Sequence, residues 1–532
     1  MKVQFENDST YQNINKSFPN ISTALEELEN IKMNYQKKGY AFLTTKTEQK
    51  KDSLFASIDL GQKFSNIKIK IPSDLYDYMP EEFFLNSSAD VLNLKYDELD
   101  DFFKKIIQKS EALGKPFIEV KLKEISLLNK NTIQANLQIE SDSPRKIDKI
   151  NLKGYDKLPK SFVKYYANLK EGQLFFEKEI DRKTQRLNAI PFIEIQKPTE
   201  VLFKKDSTEI FLYIEKRENN SFDGFIGFGN SETNDFEVNG FIDLKLSNNL
   251  NFGENLTIIY KNDGNNQQRF EADTKLPFIF KTPVSIGAGL KIFRTDSLFS
   301  NTSQKISANY RLNEKLSIFS KANFTKSTSL KEDSSAGTEI NEEIESFNSS
   351  FYGIGAEFEE PRTNMPFSEE TFASLGFNIG TRKNQETTEQ YIIELEVRHQ
   401  FKINERQRIQ ANIFGNYLFS EDYLNNELYR FGGLNSIRGF EENRLIASKF
   451  TTLQTEYRYI LDSNIYVNSV LDIGYYENEL DEISDNILGF GVGLGLNTQA
   501  GILKLIIANS VADNKEISAS NSKIHISLTS FF

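Results

Sequence analysis

The sequence predicts a chain of two parts, in which three small α+β repeats precede an all-β barrel of about sixteen antiparallel strands. Junctions between a helical pattern and a strand-like pattern recur at residues 39, 114 and 189, in steps of 75 residues. From Ser221 onward, apolar and polar residues alternate, which is typical of strands. The 311 residues from 222 to 532 suffice for about sixteen strands, at roughly 19 to 20 residues per strand and connection.

The composition disfavours several classes of protein. The 532 residues carry a net charge of −12, which argues against a general nucleic-acid-binding protein. There is no cysteine, so neither a disulfide framework nor a thiolate metal site is expected. Only two histidines are present, His399 and His525, which disfavours a multi-histidine metal centre or a Ser-His-Asp triad. Ser436 lacks a G-x-S-x-G setting, and we expect no catalytic residues and no cofactor.

Each predicted repeat contains one helix followed by two strand-like runs that a polar turn joins. The helices are expected over residues 23–38, 97–113 and 177–188. Thr23 and Glu26 fit a capping box at the start of the first helix, and Gly39 and Gly114 fit the ends of the first two. The resulting units span 1–63, 64–143 and 144–218. The alternative is three unrelated α+β modules.

The C-terminal part, residues 219–532, alternates most clearly at Ile393-Glu394-Leu395-Glu396-Val397-Arg398. In a membrane barrel the apolar face of such a strand meets lipid and the polar face lines the lumen. A soluble β-sandwich is the alternative, since its strands also have one wet face. The sequence has no run of eighteen or more apolar residues, so it predicts no transmembrane helix. Asn262-Asp263-Gly264 predicts a hairpin turn.

The stretch from residue 431 to residue 440 differs from these strands, because two glycine sites and an Asn-Ser pair favour a loop. A single arginine, Arg438, stands between Ile437 and Gly439. An arginine in a tight turn suits a fixed polar contact, because its planar fork bonds carboxylates bidentately. The stretch resembles the VRGF/Y loop signature of the BamA/TamA superfamily, outer-membrane barrels with periplasmic POTRA domains.

Further marks of this superfamily follow in chain order. Residues 454–458 resemble its E-x-R strand, residues 470–474 its D-x-G strand, and the terminal Phe532 its C-terminal signal strand. Residues 361–366 resemble its DNP…P turn but lack the acidic residue and the closing glycine. The glycines of residues 489–496 fall on every second position, with no helical pattern after them. They therefore indicate a strand and not a dinucleotide-binding fingerprint.

The resemblance implies that the three repeats are POTRA domains, a number closest to TamA. It also implies that the loop folds back into the lumen, where Arg438 docks on Glu456 and Asp472, and that a lateral seam separates the first and last strands. The lumen-loop motif then comprises Gly432, Gly433, Ser436, Ile437, Arg438, Gly439 and Phe440. The seam strands comprise Phe222, Gly224, Gly227, Gly229, Ile524, Ile526, Leu528 and Phe532.

On this resemblance we expect a bacterial outer-membrane factor that receives unfolded clients through periplasmic POTRA domains and inserts or exports them through the seam. Exposed POTRA strand edges would bind clients by β-augmentation. The expected partners are unfolded outer-membrane or secreted client proteins, outer-membrane lipids, and periplasmic or lipoprotein accessory subunits, but no nucleic acid. The start of the chain lacks an apolar h-region, so either the protein is not exported or a signal peptide was removed; we expect removal, because an outer-membrane barrel requires export. The alternatives are a two-partner-type secretion pore for one passenger, a soluble β-rich binding module and a passive porin.

Overall fold

The structure is a computed structural model that describes residues 1–6, 14–50, 53–84, 87–88, 90–230, 236–262, 267–295, 298–330, 344–360, 371–498, 501–512 and 522–531. The chain divides into two compact units. One consists of Met1–Ile150, Glu171–Ile180 and Val201–Ile210, and the other of Asn151–Lys170, Asp181–Glu200 and Phe211–Phe532.

The first unit contains two mixed sheets, each packed against a helix. The first sheet, in the order β2-β1-β4-β3, consists of β1 (Lys2–Glu6), β2 (Ile14–Asn15), β3 (Thr44–Lys50) and β4 (Ser53–Asp59). The second, in the order β6-β7-β5-β9-β8, consists of β5 (Asn66–Lys70), β6 (Ser87–Ser88), β7 (Val91–Lys95), β8 (Ile118–Asn129) and β9 (Thr132–Ser141). The helices are α1 (Ile21–Lys37), α2 (Glu81–Phe84) and α3 (Leu99–Ala112). Because α1 and α3 are amphipathic, Leu28 and Phe102 are buried in the cores under the two sheets.

The helices lie close to their predicted positions, but the predicted capping box is wrong. The N-cap of α1 is Asn20, whose side-chain oxygen accepts a hydrogen bond from the backbone N–H of Thr23 at 2.9 Å. The helix therefore begins two residues before the predicted start, because an asparagine at this place already satisfies a free N–H. A short 3₁₀ turn, Tyr96–Glu98, precedes α3, and α4 spans Glu177–Leu187.

A third sheet follows, in the order β10-β13-β11, and β12 also pairs with β13. Its strands are β10 (Lys149–Gly154), β11 (Ile193–Ile195), β12 (Glu200–Phe203) and β13 (Thr208–Lys216). Each of the three predicted ranges thus holds one sheet and at least one helix. Since the division into compact units runs through residues 144–218, the limits of the three domains stay a prediction.

The remaining strands form a closed antiparallel barrel of sixteen strands among the described residues, which confirms the predicted fold class. The first eight are β14 (Ser221–Asn230), β15 (Phe236–Ser247), β16 (Asn255–Asn262), β17 (Gln267–Leu276), β18 (Val284–Thr295), β19 (Phe299–Arg311), β20 (Leu316–Ser329) and β21 (Phe347–Glu360). The other eight are β22 (Thr371–Lys383), β23 (Thr387–Lys402), β24 (Gln407–Phe419), β27 (Lys449–Ile460), β28 (Ile465–Asn478), β29 (Ile483–Thr498), β30 (Gly501–Ala512) and β31 (Lys523–Phe531). A small hairpin, β25 (Tyr429–Phe431) with β26 (Leu445–Ala447), lies within the connection from β24 to β27.

The two faces of the barrel wall differ as the alternation predicts. Along β22, Phe377 and Ile379 are exposed on the outer face, while Asn378 and Arg382 are buried on the inner face. Along β28, Ile473 is half exposed on the outside. The barrel therefore turns its apolar side chains outward and its polar ones inward, the arrangement of a barrel in lipid. Among the described residues, no helix has both the length and the apolar character needed to cross a membrane.

Several predicted positions lie outside the described residues. They are Asp263 and Gly264 of the hairpin turn, the turn at residues 361–366, and the terminal Phe532. The glycine-rich stretch 489–496 belongs to β29, as its period of two predicts, and another strand follows it.

Within the second compact unit, the π-helix Phe162–Tyr166 packs on turns at one end of the barrel. Phe162 meets Phe278 edge to face, with ring centroids 5.0 Å apart. The hydroxyl of Tyr165 donates to the carbonyl of Lys281 at 3.0 Å. These contacts fix the end of the barrel where β15, β17 and β19 finish.

Candidate functional site

The candidate site is the long connection between β24 and β27, residues 420–448, which we call the lumen loop. Its glycines adopt the left-handed backbone that only glycine tolerates easily, with φ of 120° at Gly432, 89° at Gly433 and 93° at Gly439. The backbone N–H of Gly432 donates to the Ser436 hydroxyl at 2.7 Å, and that of Gly433 donates to the carbonyl of Ile437 at 3.1 Å. The motif is therefore a closed turn that presents Arg438 at its end.

Apolar side chains attach this turn to the inside of the barrel. Ile437 is completely buried in a cluster with Phe431, Phe450 and Ile487. Phe440 is partly buried against the same cluster. The loop thus lies against inner-face residues of β27 to β29.

The Arg438 side chain meets both predicted acids. Arg438 is 2% exposed and Asp472 is 0% exposed. The guanidinium donates to the two carboxylate oxygens of Asp472, from Nε at 2.8 Å and from Nη2 at 2.5 Å. Its Nη1 donates to Glu456, and Nη2 also donates to the carbonyl of Thr455 at 3.2 Å. This is a bidentate, charge-assisted pairing in which all three nitrogens of the fork are used.

Backbone contacts around Arg438 are as close as the side-chain contacts. The backbone N–H of Arg438 donates to Asp472 at 2.9 Å. A side chain at Gly439 would lie 2.3 Å from the carbonyl oxygen of Asn509 on β30. One at Gly489 would lie 2.1 Å from the carbonyl oxygen of Arg438 itself. Gly489 of β29 therefore provides the room in which the backbone of Arg438 lies against the wall.

Glu456 holds two arginines, which gives a physical reason for the E-x-R spacing. Arg458 Nε donates to Glu456 at 2.7 Å. Residues 456 and 458 point to the same face of β27, because side chains of a strand alternate. Glu456 therefore links Arg438 of the loop to Arg458 of the wall.

A second buried arginine, which the sequence reasoning missed, holds the other end of the lumen loop. Arg382 on β22 is completely buried. Its Nη1 donates to Glu427 at 2.5 Å, and it also pairs with Asp422. Gln390 donates to the second carboxylate oxygen of Glu427 at 3.0 Å. No local signal marks Arg382, because its partners lie 40 and 45 residues away in the chain.

Asn426, also missed, ties the same part of the loop to further strands. It is 1% exposed, and its side-chain amide donates to the Ser327 hydroxyl at 2.6 Å and to the carbonyl of Glu345 at 2.8 Å. The side chain of Asn301 donates to the carbonyl of Asn426 at 2.6 Å. The lumen loop is thus held at both of its ends, by β27 and β28 at one and by β19 to β23 at the other.

The seam between β14 and β31 is the weakest pairing of the described barrel strands. Within these strands the ladder joins only Ser221 with Phe531 and Phe222 with Ser530. The ladder between β14 and β15 joins ten residue pairs. Both predicted seam strands therefore have long unpaired edges among the described residues.

The predicted seam residues lie on these two strands, with one exception. Phe222 is 45% exposed, and a side chain at Gly224 would lie 2.5 Å from the carbonyl oxygen of Phe241. Ile524 and Ile526 are exposed on the outer face, at 64% and 68%. Gly227 and Gly229 belong to β14 and Leu528 to β31, whereas Phe532 is outside the described residues.

Nothing in the described part of the chain points to catalysis. No group of three or more His, Asp or Glu side chains there is arranged to hold a metal ion. The Nδ1 atom of His399 lies 2.7 Å from the Thr371 hydroxyl, and the ring packs edge to face on Phe401. His525 is a residue of the last strand.

Comparison with solved structures identifies the fold. CdiB from Escherichia coli is 12% identical, with a TM-score of 0.57 over 96% of this chain and 98% of that chain. CdiB from Acinetobacter baumannii is 14% identical, with a TM-score of 0.51 over 97% of this chain and 100% of that chain. BamA from Haemophilus ducreyi lacking POTRA domains 1-3 is 14% identical, with a TM-score of 0.50 over 88% of this chain and 100% of that chain. No family model and no curated protein matches the sequence. The chain therefore has the fold of these BamA and CdiB structures, and the resemblance to the BamA/TamA superfamily is confirmed at the level of the fold.

Proposed function

We propose that this chain is an outer-membrane protein that inserts or translocates other proteins, receiving unfolded clients at its N-terminal units and releasing them at the seam. The observation that carries the proposal is the incomplete pairing of β14 with β31, beside a lumen loop that Arg438 holds in place. Ordinary barrels avoid free strand edges, because unpaired backbone groups in lipid cost several kcal/mol each. We therefore infer that the unpaired edge of this barrel serves its function.

The use we propose is pairing with a client strand. An exposed edge offers a row of N–H and C=O groups. An extended segment of a client can form hydrogen bonds with these groups and so add one strand to the sheet. Since this recognition uses the backbone, it accepts many sequences, as an assembly factor requires. The apolar side chains of Ile524 and Ile526 lie on the outer face of β31, so a paired client would leave the seam on the lipid side.

The N-terminal sheets support the earlier step, in which clients are received. Strand β8 lies at the edge of the second sheet and is twelve residues long. It exposes Ile125, Leu127 and Leu128 by 44%, 58% and 47%. An edge with exposed apolar side chains suits an extended apolar segment of an unfolded chain. We propose that the three α+β units are POTRA domains at 1–63, 64–143 and 144–218, in the periplasm.

The location follows from the same reasoning. An outward apolar face and an inward polar face suit a barrel that crosses the outer membrane. The BamA and CdiB folds support an assembly or translocation role at that membrane. Outer-membrane lipids and accessory periplasmic or lipoprotein subunits are the further partners we propose.

A cysteine staple tests the seam directly, because the natural chain has no cysteine. Phe222→Cys with Ser530→Cys would join β14 to β31 at a residue pair of the existing ladder. The matched control is Leu375→Cys with Leu395→Cys, a residue pair of the fully paired strands β22 and β23. Insertion of a radiolabelled client barrel into proteoliposomes would be measured with each staple oxidised and reduced.

We expect the oxidised seam staple to reduce client insertion at least tenfold, and reduction to restore it. The control staple should have no effect in either state. Unchanged insertion with a fully oxidised seam staple would contradict the proposal. The faster gel migration of unboiled protein, compared with boiled protein, would establish in each variant that the barrel is folded.

A secretion pore for a single passenger is the second candidate. It is favoured by the CdiB similarity, which extends over 96% to 97% of this chain. Depletion of the protein separates the two functions. Loss of many outer-membrane proteins would support general assembly, whereas loss of one surface protein would support the secretion pore.

A further inference from the structure

Two consecutive acids follow the arginine motif and take no part in its contacts with β27 and β28. Glu441 pairs with Lys523, its Oε1 atom 2.7 Å from Nζ. Glu442 pairs with Lys261. Lys523 holds the pKa of Glu441 below its ordinary value, so this carboxylate is charged at neutral pH. We call these two contacts the flanking pairs.

The flanking pairs lie on opposite sides of the seam. Lys523 is the first residue of β31, whereas Lys261 is near the end of β16. Around the barrel the order is β31, β14, β15, β16, and the seam is the junction of β31 with β14. The lumen loop is therefore tied to the wall before the seam and to the wall after it.

The pairs also lie toward the end of β31 where the seam is unpaired. The ladder between β14 and β31 occupies the last residues of β31, at Ser530 and Phe531. Lys523 lies at the opposite end of that strand. Among the described residues, no ladder pair joins β14 to this end of β31, so the flanking pairs act where the backbone does not.

We propose that Glu441 and Glu442 are positioning residues, which restrain the two edges of the seam through the lumen loop until a client separates them. This inference rests on the proposed function for its client, but not for the restraint itself. The loop can transmit the restraint because Arg438 and Gly439, three and two residues before Glu441, are fixed against β28 and β30.

The strength of the pairs suits a restraint that must be released. All four side chains are between 36% and 57% exposed, so each pair stabilises the restrained seam only weakly. An exposed ion pair of this kind changes an equilibrium by about 1.4- to fivefold. A client that forms backbone hydrogen bonds along a whole edge would overcome both, and high salt would weaken both in the absence of a client.

Distance measurement between two spin labels tests the restraint without any client. Continuing the register of the ladder brings position 226 opposite position 526, so labels at Ile226→Cys and Ile526→Cys report the unpaired part of the seam. In proteoliposomes at low salt we expect a narrow distance distribution. Glu441→Lys or Glu442→Lys should increase the population at long distance about two- to fivefold, and both together about tenfold.

Charge exchange separates the restraint from general damage to the fold. Glu441→Lys with Lys523→Glu, and Glu442→Lys with Lys261→Glu, should each restore the narrow distribution. The matched control reverses the pair of Lys315 with Glu360, which lies where β20 begins and β21 ends, away from the seam. This reversal should leave the distance distribution unchanged. Variants that fail to fold are replaced by a salt titration of the labelled natural chain, which should broaden the distribution by itself.

At 1 M salt the screening length is on the order of threefold shorter than at 0.1 M. A distance distribution that stays unchanged in both reversal variants and at 1 M salt would overturn the inference. The outcome is independent of the client. If the seam staple leaves client insertion unchanged while the distances respond as expected, the restraint stands and the proposed function fails. If the staple blocks insertion and the distances do not respond, the function stands and the flanking pairs have no part in it.

Discussion

Two buried arginines hold the two ends of the lumen loop. The loop supplies the arginine at one end and the acids at the other. At one end the arginine, Arg438, is on the loop and its acids, Glu456 and Asp472, are on the wall. At the other end the arginine, Arg382, is on the wall and its acids, Asp422 and Glu427, are on the loop.

The two ends also differ in how completely the charges are removed from water. Asp472 is 0% exposed, whereas the Asp422 side chain is 57% exposed. Arg438 uses its Nε atom, whereas the Nε atom of Arg382 is buried without a hydrogen-bond partner. Since an unpaired buried charge is far more costly than a solvated one, the Arg438 end is the firmer attachment and the Arg382 end is the one that yields first.

The largest expected effect is that of Arg438→Ala. It leaves Asp472 buried without its cation and should lower the free energy of unfolding by about 3–5 kcal/mol. Urea unfolding of the detergent-solubilised protein, followed by the gel shift of the folded barrel, measures this. Arg398→Ala is the control, because the Arg398 pair with Glu396 is about 40% exposed and should contribute at most about 1 kcal/mol. Equal stability of the two variants would show that Arg438 is solvated.

Gly439→Ala tests whether the tight backbone fit belongs to the Arg438 end. The new Cβ would lie 2.3 Å from the carbonyl oxygen of Asn509, and the alanine would have to adopt a φ of 93°. We therefore expect the free energy of unfolding to fall by about 2–3 kcal/mol. Gly172→Ala is the matched control. It has a φ of 86° but no heavy atom within 4 Å of its Cβ, so it measures the backbone strain alone. A Gly439 variant no less stable than the Gly172 variant would mean that β30 does not confine the loop.

Arg382→Ala should have a smaller effect than Arg438→Ala, about 1–3 kcal/mol. Asp422 is already exposed, and Glu427 keeps hydrogen bonds from Gln390 and from the backbone N–H of Leu424. The same urea unfolding measures it. Arg382→Lys should recover part of the loss, because a lysine keeps the charge but not the fork geometry. A loss as large as that of Arg438→Ala would contradict the ranking of the two ends.

The contrast between the arginines also explains what the sequence could predict. Arg438 stands in a compact turn whose glycines are visible in the sequence, and its acids lie on strands whose patterns resemble known ones. Arg382 is one polar residue among others on an alternating strand, and its acids lie in a loop of unremarkable composition. Pairing across 40 residues depends on the register of strands between them, which local patterns do not encode.

The same limit applies to other parts of the chain. The length of the C-terminal part predicts the number of strands. The period of two predicts the strands themselves, because alternation is a local property of a half-buried strand. It did not predict the contacts of Glu441 and Glu442, since each depends on where β31 and β16 end around the barrel. Thr23 and Glu26 have the spacing of a capping box, but Asn20, three residues earlier, accepts the capping hydrogen bond instead.

The smallest expected effect is the coupling between the two ends, and it decides whether the lumen loop is one body. If the loop is rigid between its ends, Arg438→Ala already loosens the contacts of Glu427 and Asp422, so that Arg382→Ala then removes less. We expect the double variant to be more stable than the sum of the single effects predicts, by about 1 kcal/mol. The urea midpoints of the natural chain, both single variants and the double variant give this value. Additivity within about 0.5 kcal/mol would mean that the ends are independent attachments. In that case a change at the Arg382 end could not reach the flanking pairs through the loop, and the seam would depend on the Arg438 end alone.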